Sequence, residues 1–334
     1  MDSQKNQGGQ PEFHHFHAGD IAGYAHFYEL RSNLTSDSTP LESFLWRKYF
    51  DARAAVLRDG ERELGLLWLY GTEEEPYAAM PLAREEDLPA CFEALQHYFR
   101  EVLKKPLVIK LADGGAVNAL NLSPEKYLVE EEEDAKDYLY DGNALRTQRQ
   151  LPACAILAVL LTVTLLVLVG VSWHLLRSHD DHTRKKMPDL TVLDKWRGGK
   201  GEEVESHLDR EVDGIHDLLN HCSEISAETG AIFIDGELEA FSVGSLNRRD
   251  SMAVIHIEKA NPEIDGLYQA INKEFLCRAF PEAAIINRED DVGLEGLRKS
   301  KLSYYPSGFA KKFLIMERSG AELSADQVRA EMQY

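Results

Sequence analysis

Cysteine is scarce in this sequence. Four occur in 334 residues (Cys91, Cys154, Cys222 and Cys277), widely spaced and never in a C-x-x-C pair. That spacing argues against a structural zinc site and a disulfide framework, and it fits a reducing compartment. Basic side chains are outnumbered, 37 to 57, for a net charge of −20. A surface of that sign repels phosphate backbones, which argues against broad nucleic-acid binding and against a polybasic membrane-surface binder. The chain lacks a Walker loop, a Rossmann fingerprint, H-E-x-x-H and G-x-S-x-G, so neither a cofactor nor a metal is expected. The "HHFH" histidines His14, His15 and His17 read as residues near a loose end, because no second cluster completes a ligand set. Residues 1–15 have no apolar core of a secretory signal and read as a disordered lead-in.

Charge is missing altogether from one stretch. Gln150 to Leu176 contains no Asp, Glu, Lys or Arg. The run "LPACAILAVLLTVTLLVLVGVSWHLL", 151–176, is long and apolar enough on all sides to predict a helix-like segment that suits a bilayer. Arg177, Arg184, Lys185 and Lys186 follow it, against Arg146 and Arg149 before it. As a membrane span it would place the C-terminal half in the cytoplasm.

Ordinary globular chain surrounds that run, with 44% hydrophobic and 28% charged residues, enough for more than one core. In the final third, "GAIFIDGELEAFSVGS" places Asp235-Gly236 between two alternating apolar runs, a strong hairpin signal. "MAVIHIEKA" reads as a strand with Ile255 and Ile257 on one face and Val254, His256 and Glu258 on the other. A helix then buries Ile264, Leu267, Ile271 and Phe275. "AAIINRED" reads as a strand, "VGLEGLRKSKLSYY" as a helix with Leu294, Leu297 and Leu302 inward, and "KKFLIMER" as a closing strand. The first 140 residues repeat this order: a hairpin turning at Asp59-Gly60, a strand, a helix burying Leu88, Phe92, Leu95 and Phe99, and another strand. The repeat predicts two copies of one α/β unit. "SDSTPLESFLWRKYF" reads as a capped helix with Phe44, Leu45 and Tyr49 on its apolar face.

"MAVIHIEKANPEIDGLYQAINKEF" followed by "INREDDVGLEGLRKSKLSYYP" resembles the phosphatidylglycerol lysyltransferase C-terminal-like family. "YLYDGNALRT", "LDKWRGGKGEEVESHLDREVDGI" and "SDSTPLESFLWR" match the same habit. The resemblance extends from about Phe16 to Phe313, apart from roughly 148–188. It implies an α/β (α+β) fold of two tandem GNAT-like acyltransferase domains, at 16–147 and 189–318, with the apolar segment between them and a tail at 319–334. It also implies kinship with bacterial enzymes that move an aminoacyl group from transfer RNA to a lipid or peptidoglycan precursor. Related proteins usually carry a Lys-, Arg-, His- and Asn-rich helix where this chain has 151–176. The run therefore reads as a transmembrane helix, a locally altered reading of the gene, or a buried helix between domains. The location expected is the bacterial cytoplasm or, with a genuine span, the cytoplasmic membrane.

Aminoacyl transfer needs a group that manages a proton, a stabiliser for the oxyanion and a binder for the donor's ammonium. "NREDD" supplies Asn287, Glu289 and Asp290 at a strand end ahead of a helix, where open α/β sheets place working residues. Its carboxylates suit an ammonium, and capping by Asp290 or Asp291 explains only one of the acids. Arg298 and Lys301 are candidates for a phosphate or the oxyanion, and with Lys311 and Lys312 they form the basic tract of the tail. His256 or Glu258 would manage the proton, and Tyr304 and Asn272 complete the candidate set. Expected partners are the 3′ end of an aminoacyl-tRNA and a phospholipid or amine acceptor, with membrane contact through 151–176. The alternatives are an acyl-coenzyme A-dependent N-acyltransferase and a non-catalytic, membrane-tethered binding protein. Against coenzyme A, the turn where a Gly-rich pyrophosphate loop should fall holds Asn261-Pro262 and only Gly266.

Overall fold

Two hairpins anchor two separate sheets. The computed structural model describes residues 10–72, 74–147, 172–177, 212–221 and 224–318. The run at 151–171, the lead-in up to residue 9 and the tail at 319–334 lie outside the described residues. The chain forms two compact units: the first takes the residues up to Asn33, Trp46–Ala135 and those from Lys311, the second Leu34–Leu45 and Lys136–Ala310. Neither unit is continuous in sequence, so neither coincides with the linear spans 16–147 and 189–318.

The first unit opens with β1 (His14–His15) and α1 (Ile21–Tyr24); α2 (Pro40–Trp46) follows, its first six residues in the second unit. The hairpin β2 (Arg53–Asp59) and β3 (Arg62–Tyr70) pairs Asp59 with Arg62, so its turn residues are Gly60 and Glu61, one step later than the expected Asp59-Gly60. The reason is that Gly60 alone takes positive φ there, at 60°. After β4 (Tyr77–Ala78) and β5 (Leu82–Ala83), α3 (Leu88–Tyr98) buries Leu88, Cys91, Phe92 and Leu95, with Phe99 buried just beyond, as the helical spacing predicts. The helix crosses over to β6 (Val108–Asp113), which lies parallel to β4, before α4 (Gly114–Leu120) and β7 (Tyr127–Glu131).

The second unit repeats that plan. β8 (Asp137–Asp141) and α5 (Gly142–Thr147) come first. β9 (Ser172–Arg177) pairs antiparallel with β10 (Glu228–Ile234). Residues 172–176, expected in the apolar helix-like segment, are thus in a strand. A short apolar run does not distinguish helix from strand by periodicity, and here the edge of β10 offers it a hydrogen-bonding partner. Among the described residues no helix is long and apolar enough to cross a membrane. A helical stretch covers 212–220.

β10 turns into β11 (Glu237–Asn247) through Asp235 and Gly236, both at positive φ (53° and 86°), as the Asp-Gly signal requires. β12 (Met252–Ala260), α6 (Leu267–Ala279) and β13 (Ile285–Asn287) form a crossover unit whose two strands are parallel. α7 (Glu295–Leu302), β14 (Gly308–Ala310) and β15 (Lys312–Glu317) end the described chain. α6 buries Phe275 and Leu276 against Ala253, Ile255 and Ile286, and Leu267, Ala270 and Ile271 against Ile232, Ala240 and Ala260. Leu34, Leu139, Met252 and Val254 pack on the opposite face of the sheet.

The strand orders explain the broken boundaries. The first sheet runs β1-β2-β3-β4-β6-β15-β7, with β5 beside β3, and the second runs β9-β10-β11-β12-β13-β8-β14. In each sheet the strand beside the parallel pair comes from outside the repeat: β15 from the chain's end in the first, β8 from before the second hairpin in the second. One expectation fails on α7. Leu294, Leu297 and Leu302 are exposed (52%, 38% and 46%), while Lys301 is buried with Tyr304. The helix is short and rich in cations, so the face it turns inward is the one whose ammonium and phenol find polar partners.

Candidate functional site

A β-bulge divides the expected site residues. β11 and β12 stay in register up to Val243 opposite Ile257, and then Gly244 faces Ile255, which leaves His256 as the extra residue. A bulge adds one residue to one strand and changes the face on which the following side chains fall. Before it, Ala253 and Ile255 face α6; after it, Ala260 does, and Glu258 reaches Asn272 of α6. His256 looks out of the opposite face. The expected sharing of one face by His256 and Glu258 is therefore incorrect, because strict alternation is interrupted between them.

The α6 face carries the first cluster. Arg288, one residue past β13, donates from Nη2 to Glu258 Oε1 at 2.7 Å. Asn272 Nδ2 donates to the other oxygen of Glu258 at 2.8 Å. The guanidinium carbon lies 4.6 Å from the ring centroid of Tyr304 and 5.9 Å from that of Tyr140, close enough for cation–π attraction. Arg288 Nη1 is buried and has no hydrogen-bond partner among the described residues. Burial works against the Arg288 charge, but Glu258 and the two phenols outweigh it and hold its pKa above the ordinary arginine value. Burial pushes the Tyr304 hydroxyl up, so it stays a neutral donor. Glu258, Arg288 and Tyr304 line a cleft of about 260 Å³, closed on other sides by Pro262, Asp265, Gly266, Gln269 and Ser300 among others. The cleft lies beyond the carboxyl ends of the parallel pair, where open α/β sheets bind ligands.

The opposite face carries the second cluster. His256 Nδ1 stands 2.9 Å from Glu42 Oε2 and 2.9 Å from Glu289 Oε1. Nε2 is 2.9 Å from Ser245 Oγ and 3.3 Å from Thr39 Oγ1. Burial alone would lower the imidazole pKa, but the hydrogen bonds and charges of Glu289 and Glu42 raise it to about 9. Burial, reinforced by the charge of Glu42, pushes the Glu289 carboxyl up as well.

The remaining candidates build the loop between the clusters. Asn287 is fully buried; its Nδ2 donates to Leu34 O (2.9 Å) and Asp137 Oδ2 (3.0 Å), and its Oδ1 accepts from Glu289 N (2.7 Å). Asp291 is clamped by Tyr138 Oη (2.5 Å) and by Arg298 Nε and Nη2 (2.8 and 2.9 Å). Burial would raise that carboxyl, but Arg298, Tyr138 and the Gly293 amide hold it below its usual value. Asp290 Oδ1 accepts from Val292 N at 3.0 Å. Lys301 Nζ donates to the carbonyl oxygens of Arg288 (2.6 Å) and Asp290, and burial lowers its pKa. The expected basic tract does not form: Lys301 is spent on carbonyls, Lys312 is 2% exposed in β15, and Lys311 pairs with Glu131 at 2.7 Å.

The structure thus brings Glu258, Asn272 and Tyr304 together, and His256 with Glu289, while Asn287, Asp290, Arg298 and Lys301 shape the connecting loop. Sequence reasoning missed the central place of Arg288, although its position inside "NREDD" at a strand end was a usable signal. Glu42, Thr39 and Ser245 carried no signal, since Glu42 lies 214 positions from its histidine.

Two sheet-and-helix units, each with one helix crossing over a parallel pair, make this a tandem GNAT-like fold. A conserved protein of unknown function from Bacteroides thetaiotaomicron VPI-5482 is similar at 21% identity, with a TM-score of 0.73 over 92% of this chain and 100% of that one. The C-terminal domain of a putative lysylphosphatidylglycerol synthetase from Agrobacterium fabrum is similar at 12% identity (TM-score 0.58, 95% of each chain). L-PGS from Bacillus licheniformis is similar at 13% (TM-score 0.59, 90% of this chain, 98% of that one). At these identities the likeness shows the fold. No curated protein matches the sequence. Residues 161–316 match the family model described as phosphatidylglycerol lysyltransferase, C-terminal.

Proposed function

We propose that the chain is an aminoacyltransferase that moves an aminoacyl group from the 3′ end of an aminoacyl-tRNA to a lipid or amine acceptor, and that the α6-face cleft is its reaction site. The match to that family model over 161–316 supports an aminoacyltransferase-type activity. The observation that carries the site is Arg288: its charge is held at the cleft floor by Glu258, while Nη1 keeps a buried, unpartnered donor. A donor fixed before reaction stabilises an oxyanion without reorganisation.

In this reading the acceptor's hydroxyl or amine attacks the ester carbonyl, and Arg288 Nη1 donates to the oxygen that becomes negative. The tetrahedral intermediate collapses by breaking the bond to the terminal ribose oxygen, which takes up the proton that the acceptor gives up. Glu258 is the carboxylate within reach of that proton. His256 lies on the other sheet face and takes no part. Asp265 at the cleft wall suits the donor's ammonium and opposes a pyrophosphate, which weighs against the acyl-coenzyme A alternative.

The test is transfer from radiolabelled aminoacyl-tRNA to phospholipid vesicles and to small amines. Arg288→Met should lower kcat/KM by about 10²–10³ while the fold is kept. Unchanged transfer in Arg288→Met removes the cleft as the site. Saturable coenzyme A binding by calorimetry, with no aminoacyl transfer, would replace this reading by the acyl-coenzyme A one.

A further inference from the structure

We propose that Glu42, His256 and Glu289 form a binding site for a divalent transition-metal ion, on the sheet face opposite the cleft. The three donors come from α2, the β12 bulge and the turn after β13. Their ligand atoms all lie within 4.8 Å of one another. One imidazole with two carboxylates is a donor set suited to Mn²⁺ or Zn²⁺.

Four observations carry the inference. The first is crowding: both carboxylates stand 2.9 Å from the same nitrogen, Nδ1, which offers a single proton. Neighbouring ligands about 2.1 Å from one ion at right angles are separated by about 3.0 Å, so the spacing that suits a hydrogen bond also suits the edge of a coordination shell. The second is the far side of the ring. Metal-bound histidines hand their other N–H to an acceptor that fixes the tautomer. Here Nε2 faces the hydroxyls of Ser245 and Thr39, oxygens that can accept its proton when Nδ1 gives up its own to an ion.

The third is charge. The imidazole side chain is 0% exposed, and the carboxylates are 15% and 26% exposed. Two carboxyl groups and one imidazole thus face one another in a largely dry place, where bound protons balance the charge and a dication can take their place. The residual exposure of the two carboxylates leaves a side open to water ligands. The fourth is backbone geometry. Glu289 sits at φ 58°, a left-handed conformation that costs a non-glycine residue free energy, and Asn287 Oδ1 supports it by accepting from its amide. That conformation turns Glu289 toward His256, while Arg288 goes to the cleft. On binding, the ion takes Nδ1 and one oxygen from each carboxylate, and the protons held there pass to the buffer.

This inference stands apart from the acyl-transfer reading. The experiment uses the full chain, stripped with chelator and titrated with Mn²⁺ and Zn²⁺ by calorimetry in two buffers of different ionisation enthalpy. One ion per chain should bind with release of protons, and Co²⁺ should give visible ligand-field bands. Glu42→Gln and Glu289→Gln keep size and shape; each should weaken binding at least 10-fold, and Ser245→Ala should weaken it about 10-fold through the ring's far side. Near-ultraviolet circular dichroism checks that each variant folds, and either glutamine variant alone suffices if the other does not. No uptake at about 1 mM ion, or an affinity unchanged in the folded glutamine variants, overturns the site. The second result would assign any bound ion to other residues, such as the histidines near the N-terminus.

Discussion

Glu258→Gln isolates the electrostatic core of the cleft. The glutamine keeps the shape and can still accept from Arg288, but it removes the one negative charge that, among the described residues, is bonded to that guanidinium. Arg288 cannot answer by losing its proton. Its side chain is 12% exposed and that of Glu258 10%, so little water reaches the stranded charge. Removing one partner of a buried pair costs about 3–5 kcal/mol, and the hydrogen bond that glutamine retains points to the lower end, about 3 kcal/mol. The reverse change, Arg288→Met, strands a carboxylate, which can take up a proton instead. Protonation removes that stranded charge, so the stability deficit of Arg288→Met should shrink as pH falls from 8. The deficit of Glu258→Gln should stay level across that range. The double variant should be more stable than the sum of the single changes predicts, by about 2 kcal/mol or more. Urea unfolding at 25 °C, followed by fluorescence and circular dichroism, measures all four proteins. A Glu258→Gln loss below about 0.5 kcal/mol, or additive single changes, would refute the reasoning that the pair is buried and coupled.

Three further outcomes follow from particular contacts. Asp291 has a depressed pKa, so its contribution to stability is complete above the unfolded-state value and lost as pH falls through the folded one; Asp291→Asn should flatten the acid limb of the stability–pH curve. A Cβ on Gly244 would stand 2.8 Å from Val254 O and 2.9 Å from a ring carbon of Phe280, so Gly244→Ala should cost about 1–3 kcal/mol and, by disturbing the bulge, weaken cation binding by calorimetry. Cys91 is fully buried and its thiol is pushed up to about 12 by burial, with the nearby Asp87 charge adding to it; alkylation at pH 8 followed by peptide mapping should leave it unlabelled in the native protein while exposed Cys277 reacts.

Much of the fold was legible because local rules and tertiary packing agreed. The helical stripes of α3 and α6 and the Asp235-Gly236 turn occur where the sequence puts them. What was not legible depends on distant chain segments. Nothing local says that β15 joins the first sheet or β8 the second, since a strand's register is completed by an edge that another segment supplies. The exposed leucines of α7 show the same limit: apolar spacing proposes a face, but buried Lys301 and Tyr304 take the inward positions because carbonyls and a cation wait there. For the site, "NREDD" pointed to the correct strand end, yet roles were assigned by charge alone. Asp291 was read as a helix-cap candidate and Arg298 as a phosphate or oxyanion binder, and they are each other's partners.

The bulge settles which residue can work with Arg288. Along the β13 exit, successive side chains alternate: Asn287 brackets the loop, Arg288 enters the cleft, and Glu289 turns to the other face. β12 would match this alternation only in part if it were regular, because His256 and Glu258 would then both oppose the same side. The extra residue at His256 lets one strand serve both faces, with His256 beside Glu289 and Glu258 beside Arg288. A histidine at a strand centre is an attractive proton carrier by its chemistry. Here, however, the strand itself separates it from the cleft, while a carboxylate two positions on is already bonded to the cleft's cation. Assigning the proton to Glu258 and the candidate ion to His256 is the division that the backbone geometry favours.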